Sequence, residues 1–123
     1  MGWVLWALLQ IPVTSTEQNG PGPSWTATAY CKGTTTFAGV RVQRGMAASD
    51  PSVLPTGSIV RVRGTGDPRW DGVYSVLDTG PAITGRILDL YMWSCVEALD
   101  FGRRPIQVDV IRFGWRPNKY TGR

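Results

Sequence analysis

Glycine and proline interrupt this chain at such short intervals that a long helix has nowhere to form: 15 glycines and nine prolines are spread over 123 residues. Glycine weakens helix and strand interiors, and proline removes a backbone donor, so the segments between them must be short. Short strands joined by tight turns satisfy that constraint. The hydrophobic share of 42% against 18% charged residues supplies enough apolar surface for one packed core rather than a disordered segment. The expectation is a single all-β domain, a small barrel.

Trp25 to Tyr30 alternates bulky and small residues and reads as the first strand, with a turn at Lys32-Gly33. Val40 to Val42 is a short apolar piece leading into Arg44-Gly45. Ser58 to Arg63 alternates strictly, with Ile59, Arg61 and Arg63 on one face and Val60 and Val62 on the other, and its buried face stays open. Gly64 to Asp71 is a loop. Gly72 to Leu77 is a strand that delivers Asp78 at its end, and Ile87 to Tyr91 is another, with Asp89 between Leu88 and Leu90. Trp93 to Phe101 fits a short helix capped by Ser94 and ended at Gly102, with Trp93, Val96, Leu99 and Ala98 as its apolar face. Pro105 to Phe113 alternates over Ile106, Val108 and Val110 as the last strand.

Trp3 to Leu9, extended by Ile11 to Val13, is an apolar run followed by small residues at Thr14-Ser15. It has the character of a signal-peptide core, too short to span a bilayer, although no Lys or Arg precedes it. An N-terminal strand, or a start codon placed inside a longer leader, is the alternative. The organisation expected is a signal peptide over residues 1–15, a solvated linker over 16–24, the folded domain over 25–117 and a polar tail over 118–123. In an exported chain the two cysteines, Cys31 and Cys95, are expected to form a disulfide; two buried free thiols are the alternative.

No histidine is present, which removes a Ser-His-Asp triad, a Cys-His dyad and every metal site that relies on imidazole. Carboxylates remain as general acids. The net charge of +4 is modest, and the 13 basic residues are dispersed apart from Arg61/Arg63 and Arg103/Arg104. Nucleic-acid binding is disfavoured, because it calls for a denser basic stripe. Of nine acidic residues, Glu17 falls in the linker, Asp67 and Asp71 in a loop, and Glu97, Asp100 and Asp109 on faces compatible with solvent. Asp50 precedes Pro51, Asp78 ends an apolar strand before Thr79-Gly80, and Asp89 interrupts an apolar strand. A carboxyl between Leu88 and Leu90, if it faces inward, is partly desolvated and so fitted to hold a proton near neutral pH. Simple alternation could instead turn Asp89 outward, and Asp50 and Asp78 could serve only as turn formers.

The runs Ala47-Ala48-Ser49-Asp50-Pro51 and Leu54-Pro55-Thr56-Gly57-Ser58, the stretch from Asp78-Thr79-Gly80 through Gly85-Arg86-Ile87-Leu88-Asp89-Leu90-Tyr91, and Ala98-Leu99-Asp100-Phe101-Gly102-Arg103-Arg104 together resemble the 3D domain, a family named for three aspartates. The resemblance covers roughly residues 29 to 113. It is similar to the catalytic barrel of membrane-bound lytic transglycosylase A and, more distantly, to rare lipoprotein A and the expansins. It implies a small six-stranded double-psi β-barrel with one or two short helices, acting on peptidoglycan glycan strands; with the leader-like N-terminus, the expected location is exported, whether periplasmic, cell-wall associated or extracellular, and the chain is expected to be a monomer without stable membrane insertion. The resemblance implies cleavage of the β-1,4 bond between N-acetylmuramic acid and N-acetylglucosamine without water, leaving 1,6-anhydro ends. Asp89 matches the acid/base position, Asp78 a supporting carboxylate and Asp50 a third. Thr79, Gly80, Gly85, Arg86 and Tyr91 fall in the substrate-contacting stretch, and no cofactor or metal is implied. Pro81 and Thr84 depart from the family's usual Gly and basic residue, a variant that leans toward the expansin-like pattern.

Two other classes compete. A glycan-binding module without catalysis would use tryptophan faces, Trp70 and Trp93 above all. A retropepsin-like aspartic protease shares Val76-Leu77-Asp78-Thr79-Gly80, but the motif comes late in the chain and Asp89 would stand where the protease needs apolar core.

Overall fold

Short apolar runs separated by turn residues become six strands and one helix. The computed structural model describes residues 23–115. In chain order the elements are β1 (Trp25–Tyr30), β2 (Met46–Ser49), β3 (Ile59–Arg63), β4 (Gly72–Asp78), β5 (Ile87–Tyr91), α1 (Cys95–Phe101) and β6 (Arg104–Arg112). The leader expected over residues 1–15, most of the linker and the tail over 118–123 lie outside the described residues.

The strands close into a barrel in the order β1-β5-β2-β4-β3-β6. β1 runs parallel to β5 and β2 parallel to β4, while the remaining pairs are antiparallel. Closure leaves no exposed sheet edge, so every strand finds backbone partners on both sides. This is the all-β barrel expected from the spacing of turns and strands.

Alternation decides which side chains fill the interior. Val60 and Val62 on β3 are fully buried while Arg61 and Arg63 are exposed, which settles the face of that strand. Val76 on β4 and Leu88 and Leu90 on β5 are likewise fully buried, and Ala27 and Ala47 fit where the wall is narrow. Burial fades along β6, from Ile106 at 5% exposure to Val110 at 36%. Its last residues run beyond the covered part of the sheet.

Two elements differ from the sequence reading. Met46–Ser49 carries no alternation and none of the strongest strand formers, yet it is a strand, because β4 and β5 flank it and all four side chains are buried. The helix lies where expected, with the Ser94 hydroxyl accepting from the Glu97 N–H and Gly102 ending it, but it buries a different face. Ala98 and Phe101, one turn apart, pack inward, whereas Trp93, Val96 and Leu99 are 80%, 76% and 84% exposed. Ala98 and Phe101 share the i, i+3, i+6 side of the helix with Cys95, whose disulfide to Cys31 ties that side to the end of β1.

Cys31 and Cys95 are joined by a disulfide with Cα atoms 5.1 Å apart. Several basic residues are committed to structure. The Arg104 side chain donates to the carbonyls of Phe101 and Thr65 at 2.9 Å and lies 4.4 Å from the Phe101 ring centroid. Arg63 pairs with Asp109 at 2.7 Å.

Candidate functional site: paired aspartates beside β2

β2 is the axis of the site. Ala48 pairs antiparallel with Asp89 on β5 and parallel with Asp78 on β4, so the two aspartates stand on the strands either side of one alanine. A bulge between Ala47 and Ala48 shifts the β2–β4 register at this point, a device that re-aims side chains.

Asp89 leaves β5 on the face opposite Leu88 and Leu90, as simple alternation requires, yet it is half-buried because β1 lies alongside. Thr28, its register partner on β1, donates its hydroxyl to Asp89 Oδ1 at 2.7 Å. Burial pushes the Asp89 carboxyl above the usual range, the Thr28 hydrogen bond opposes that shift, and the nearby charge of Asp78 adds to it. Among the described residues Oδ2 of Asp89 has no hydrogen-bond partner, which leaves it available to carry a proton.

Asp78 is organised differently. Its Oδ1 accepts from the backbone N–H groups of Phe37 and Thr79 at 2.9 and 3.0 Å, and its Oδ2 accepts from the Tyr30 hydroxyl at 3.2 Å. The Phe37 bond, with Ala38 N–H donating to the Leu77 carbonyl at 3.1 Å, fastens a small hairpin over residues 34–42 to the end of β4. Burial, followed by the charge of Asp78, pushes the Tyr30 hydroxyl far above its ordinary value, so it remains a donor. Tyr30 meets Tyr91 edge-on with ring centroids 5.4 Å apart.

Asp50, two residues after Ala48, shares no hydrogen bond with this pair among the described residues. Its Oδ1 accepts from the Ser52 hydroxyl and N–H at 2.7 and 3.0 Å, and its Oδ2 accepts from Gly85 N–H at 2.8 Å. These bonds, that of Gly85 foremost, hold its carboxyl below the ordinary range. Asp50 therefore ties the end of β2 to the turn that leads into β5. Within that turn, Ile83 N–H donates to the Gly80 carbonyl at 3.0 Å, and Gly85 adopts a φ of 72°, which favours glycine. Arg86 is exposed and its carbonyl accepts from Thr26 N–H at 3.0 Å. Thr79 is half-buried beside Asp78, and Tyr91 is buried under Tyr30.

Thr28 and Tyr30 belong to the site and were not singled out from the sequence. Their only signal was position on one face of the first strand; nothing local indicates that β1 lies against β5, 61 residues further on for the Thr28–Asp89 bond. The tryptophans also divide. Trp70 is buried at 3% exposure, with the guanidinium of Arg44 4.6 Å from its ring centroid, and offers no face to a ligand. Trp93 offers one.

Two clefts flank the Tyr30–Tyr91 pair. One of about 440 Å³ lies against the disulfide, between Tyr30, Lys32 and Leu99. The other, about 290 Å³, lies between the 33–42 segment and the end of β5, lined by Arg41, Val42, Tyr91 and Trp93 among others. Among the described residues no cluster of Cys, Asp or Glu is placed to hold a metal ion, and no helix is long and apolar enough to cross a membrane.

A closed six-stranded barrel with two parallel strand pairs, carrying adjacent aspartates on the strands around β2, defines the class: a double-psi β-barrel with a carboxylate site. The chain belongs to the 3D domain family, whose model matches residues 46–112. No curated protein matches the chain by sequence. The fold is similar to that of MltA from E. coli, at 23% identity and TM-score 0.52, covering 65% of this chain and 28% of that one. A structure of E. coli MltA with bound chitohexaose aligns at 19% identity and TM-score 0.54, over 66% of this chain and 28% of that chain. An apo expansin of Clavibacter michiganensis aligns at 20% identity and TM-score 0.53, covering 75% of this chain and 51% of that one. The chain thus spans little more than a quarter of the length of MltA.

Proposed function

We propose that this domain is a lytic transglycosylase that cleaves the β-1,4 bond between N-acetylmuramic acid and N-acetylglucosamine in peptidoglycan, with Asp89 as the acid and then the base. The observation that carries the reading is the setting of Asp89: a half-buried carboxyl whose proton affinity is raised by burial, held by Thr28 and adjacent to Asp78. Membership of the 3D family and a barrel similar to that of a lytic transglycosylase support it.

In this reaction Asp89 gives its proton to the glycosidic oxygen as the bond from that oxygen to the anomeric carbon breaks. The 6-hydroxyl of the muramic acid attacks the same carbon, and its proton passes to the Asp89 carboxylate, which restores the acid. One carboxyl suffices because no water has to be activated, unlike the two-carboxylate arrangement of most glycosidases. Asp78 supports Asp89 electrostatically and positions Tyr30, with Thr79, Gly80, Gly85 and Arg86 contributing to the glycan-facing surface and the buried Tyr91 backing Tyr30. Asp50 shapes the turn between them. The disulfide is consistent with an exported, cell-wall-facing domain, because such bonds persist in oxidising compartments. The partner is a glycan strand rather than a nucleic acid, and the domain acts as a monomer.

A second reading is a glycan-binding module of expansin type that does not cut. The expansin similarity, which extends over 75% of this chain, and the exposed Trp93 favour it. Digestion of purified peptidoglycan with mass analysis separates the two. Release of 1,6-anhydro muropeptides by the wild type and none by Asp89→Asn is expected. Binding to sacculi with no product released would replace the transglycosylase by the module, and reducing ends in place of anhydro ends would replace it by a hydrolase.

A further inference from the structure

The proposed chemistry uses Asp89, Asp78 and their hydrogen-bond partners, and leaves the 290 Å³ cleft beside them without a role. Leu88, Leu90 and Met92, each at 0% exposure, share one side of the chain, and Asp89, Tyr91 and Trp93 fall on the other, where Tyr91 is covered and Trp93 is open to solvent. The strand ends at Tyr91 and Trp93 lies at the bend after it, so Trp93 is at most about 13 Å beyond Asp89. A ring stacked on Trp93 therefore sits further along a bound strand than the ring whose bond faces the carboxyl.

An indole at 80% exposure has lost little by facing water and gains by covering an apolar sugar face. The opposite wall is the 34–42 hairpin, pinned by Val42 N–H donating to the Thr34 carbonyl at 3.0 Å and fastened through Phe37 to Asp78. That wall carries Arg41. Among the described residues Arg41 makes no ion pair, whereas Arg63 and Arg69 both do, and no acidic side chain lines the cleft. The cleft thus combines one stacking face, one uncommitted guanidinium and the hydroxyl of Thr34.

We propose that this cleft is a saccharide subsite for a carboxylate-bearing sugar ring, with Trp93 as the stacking face and Arg41 as the partner of the carboxylate. The assignment rests on the glycan reading above and deepens it. It makes Arg41 the residue that prefers glycan free of stem peptides, in which the lactyl group of each muramic acid is a carboxylate rather than an amide, over a neutral glycan of the same length. Guanidinium–carboxylate pairing is directional and strengthened where water is partly excluded.

The test is equilibrium binding by calorimetry, on the intact protein, of defined muramic-acid-containing tetrasaccharides without stem peptides, whose lactyl carboxylates are free, and of neutral chitotetraose. Wild type, Trp93→Ala and Arg41→Gln are compared, each in the Asp89→Asn background so that nothing is turned over. Both side chains are exposed, so the variants are expected to keep the wild-type melting temperature. Trp93→Ala is expected to weaken both ligands roughly tenfold, a loss of stacking worth about one decade. Arg41→Gln is expected to weaken the acidic ligand roughly tenfold and leave the neutral one unchanged. Unchanged acidic-ligand affinity in either variant, or equal wild-type affinity for the two ligands, overturns the subsite. The cleavage reading is judged separately by product analysis: a wild type that binds in this pattern but releases no anhydro product keeps the subsite and loses the transglycosylase, and the reverse result does the opposite.

Discussion

Asp78 and Asp89 occupy the same level of the barrel, each paired with Ala48 from opposite sides of β2. Their backbones are separated by two strand spacings, about 10 Å, and their side chains differ in setting. Asp78 accepts three hydrogen bonds, two of them from backbone N–H groups, while Asp89 accepts one and is partly desolvated. Two identical side chains thus stand in different hydrogen-bond settings.

The raised proton affinity of Asp89 has a consequence for stability. A carboxyl that binds its proton more tightly in the fold than in the unfolded chain makes the fold lose stability as pH rises from the ordinary aspartate value through the raised one. Asp89→Asn stays neutral and removes that loss. The melting temperature of the variant is expected to exceed that of the wild type at neutral pH and to converge with it in acid. A difference in melting temperature that stays constant between pH 3 and pH 8 would show that burial does not tune this carboxyl.

Asp78 has a second, mechanical role, since it holds the 34–42 hairpin and the Tyr30 hydroxyl. Asp78→Ala leaves the Phe37 and Thr79 N–H groups without their acceptor and is expected to cost roughly 1–3 kcal/mol, against about 1 kcal/mol for Tyr30→Phe. Urea denaturation of the two variants measures both. A loss for Asp78→Ala no larger than that for Tyr30→Phe would mean that the hairpin is held by other contacts.

Much of this architecture was legible before the structure. Alternation in Ile59–Arg63 and Ile87–Tyr91 located two strands and the position of Asp89, and Ser94 and Gly102 bracketed the helix. What stayed hidden was non-local. Met46–Ser49 is a strand only because neighbours cover both of its faces, and Thr28 and Tyr30 join the site through parallel pairing with a strand some 60 residues away, 61 for the Thr28–Asp89 bond. The buried helix face was hidden for a similar reason: Ala98 and Phe101 pack inward on the side that the Cys31–Cys95 bond ties to β1, a contact between distant segments that the count of apolar residues along the helix does not reveal. Asp50 was singled out beside Pro51 and as the third carboxylate of the 3D resemblance, and its Oδ2 accepts from the Gly85 N–H in the turn before β5.

The disulfide closes a loop with a sequence separation of 64 between the end of β1 and the start of α1. Cross-linking across a loop of this length is expected to stabilise the fold by about 4 kcal/mol through the unfolded chain. Denaturation with and without a reductant tests this. The Cys31→Ala/Cys95→Ala variant should match the reduced wild type, and a reduced protein as stable as the oxidised one would remove the bond from the account of stability.

After β6 the chain turns back onto the turn before β3. Gly114 N–H donates to the Ser58 hydroxyl at 2.9 Å, Trp115 N–H donates to the Thr56 carbonyl at 3.2 Å, and the Trp115 ring covers Gly57, whose φ of 95° is open to glycine alone at little cost. A methyl group on Gly114 would run into the Thr56 carbonyl oxygen and come within 2.6 Å of the backbone at Gly57 and Ser58. These obstacles are backbone atoms at the foot of a buried strand, where Ser58 is itself fully buried, so they cannot swing aside as a flexible side chain would. Gly114→Ala is therefore expected to destabilise by roughly 1–3 kcal/mol, the usual range for overpacking, by prising the end of β6 from the 56–58 turn. Trp115→Ala removes only a half-exposed ring and leaves the backbone bonds in place, and a smaller loss is expected. Hydrogen exchange at the Gly57 and Trp115 amides reports the same event locally: faster exchange in Gly114→Ala but not in Trp115→Ala is the predicted pattern, and identical exchange in both would mean that the close backbone approach at Gly114 does not hold this corner of the barrel.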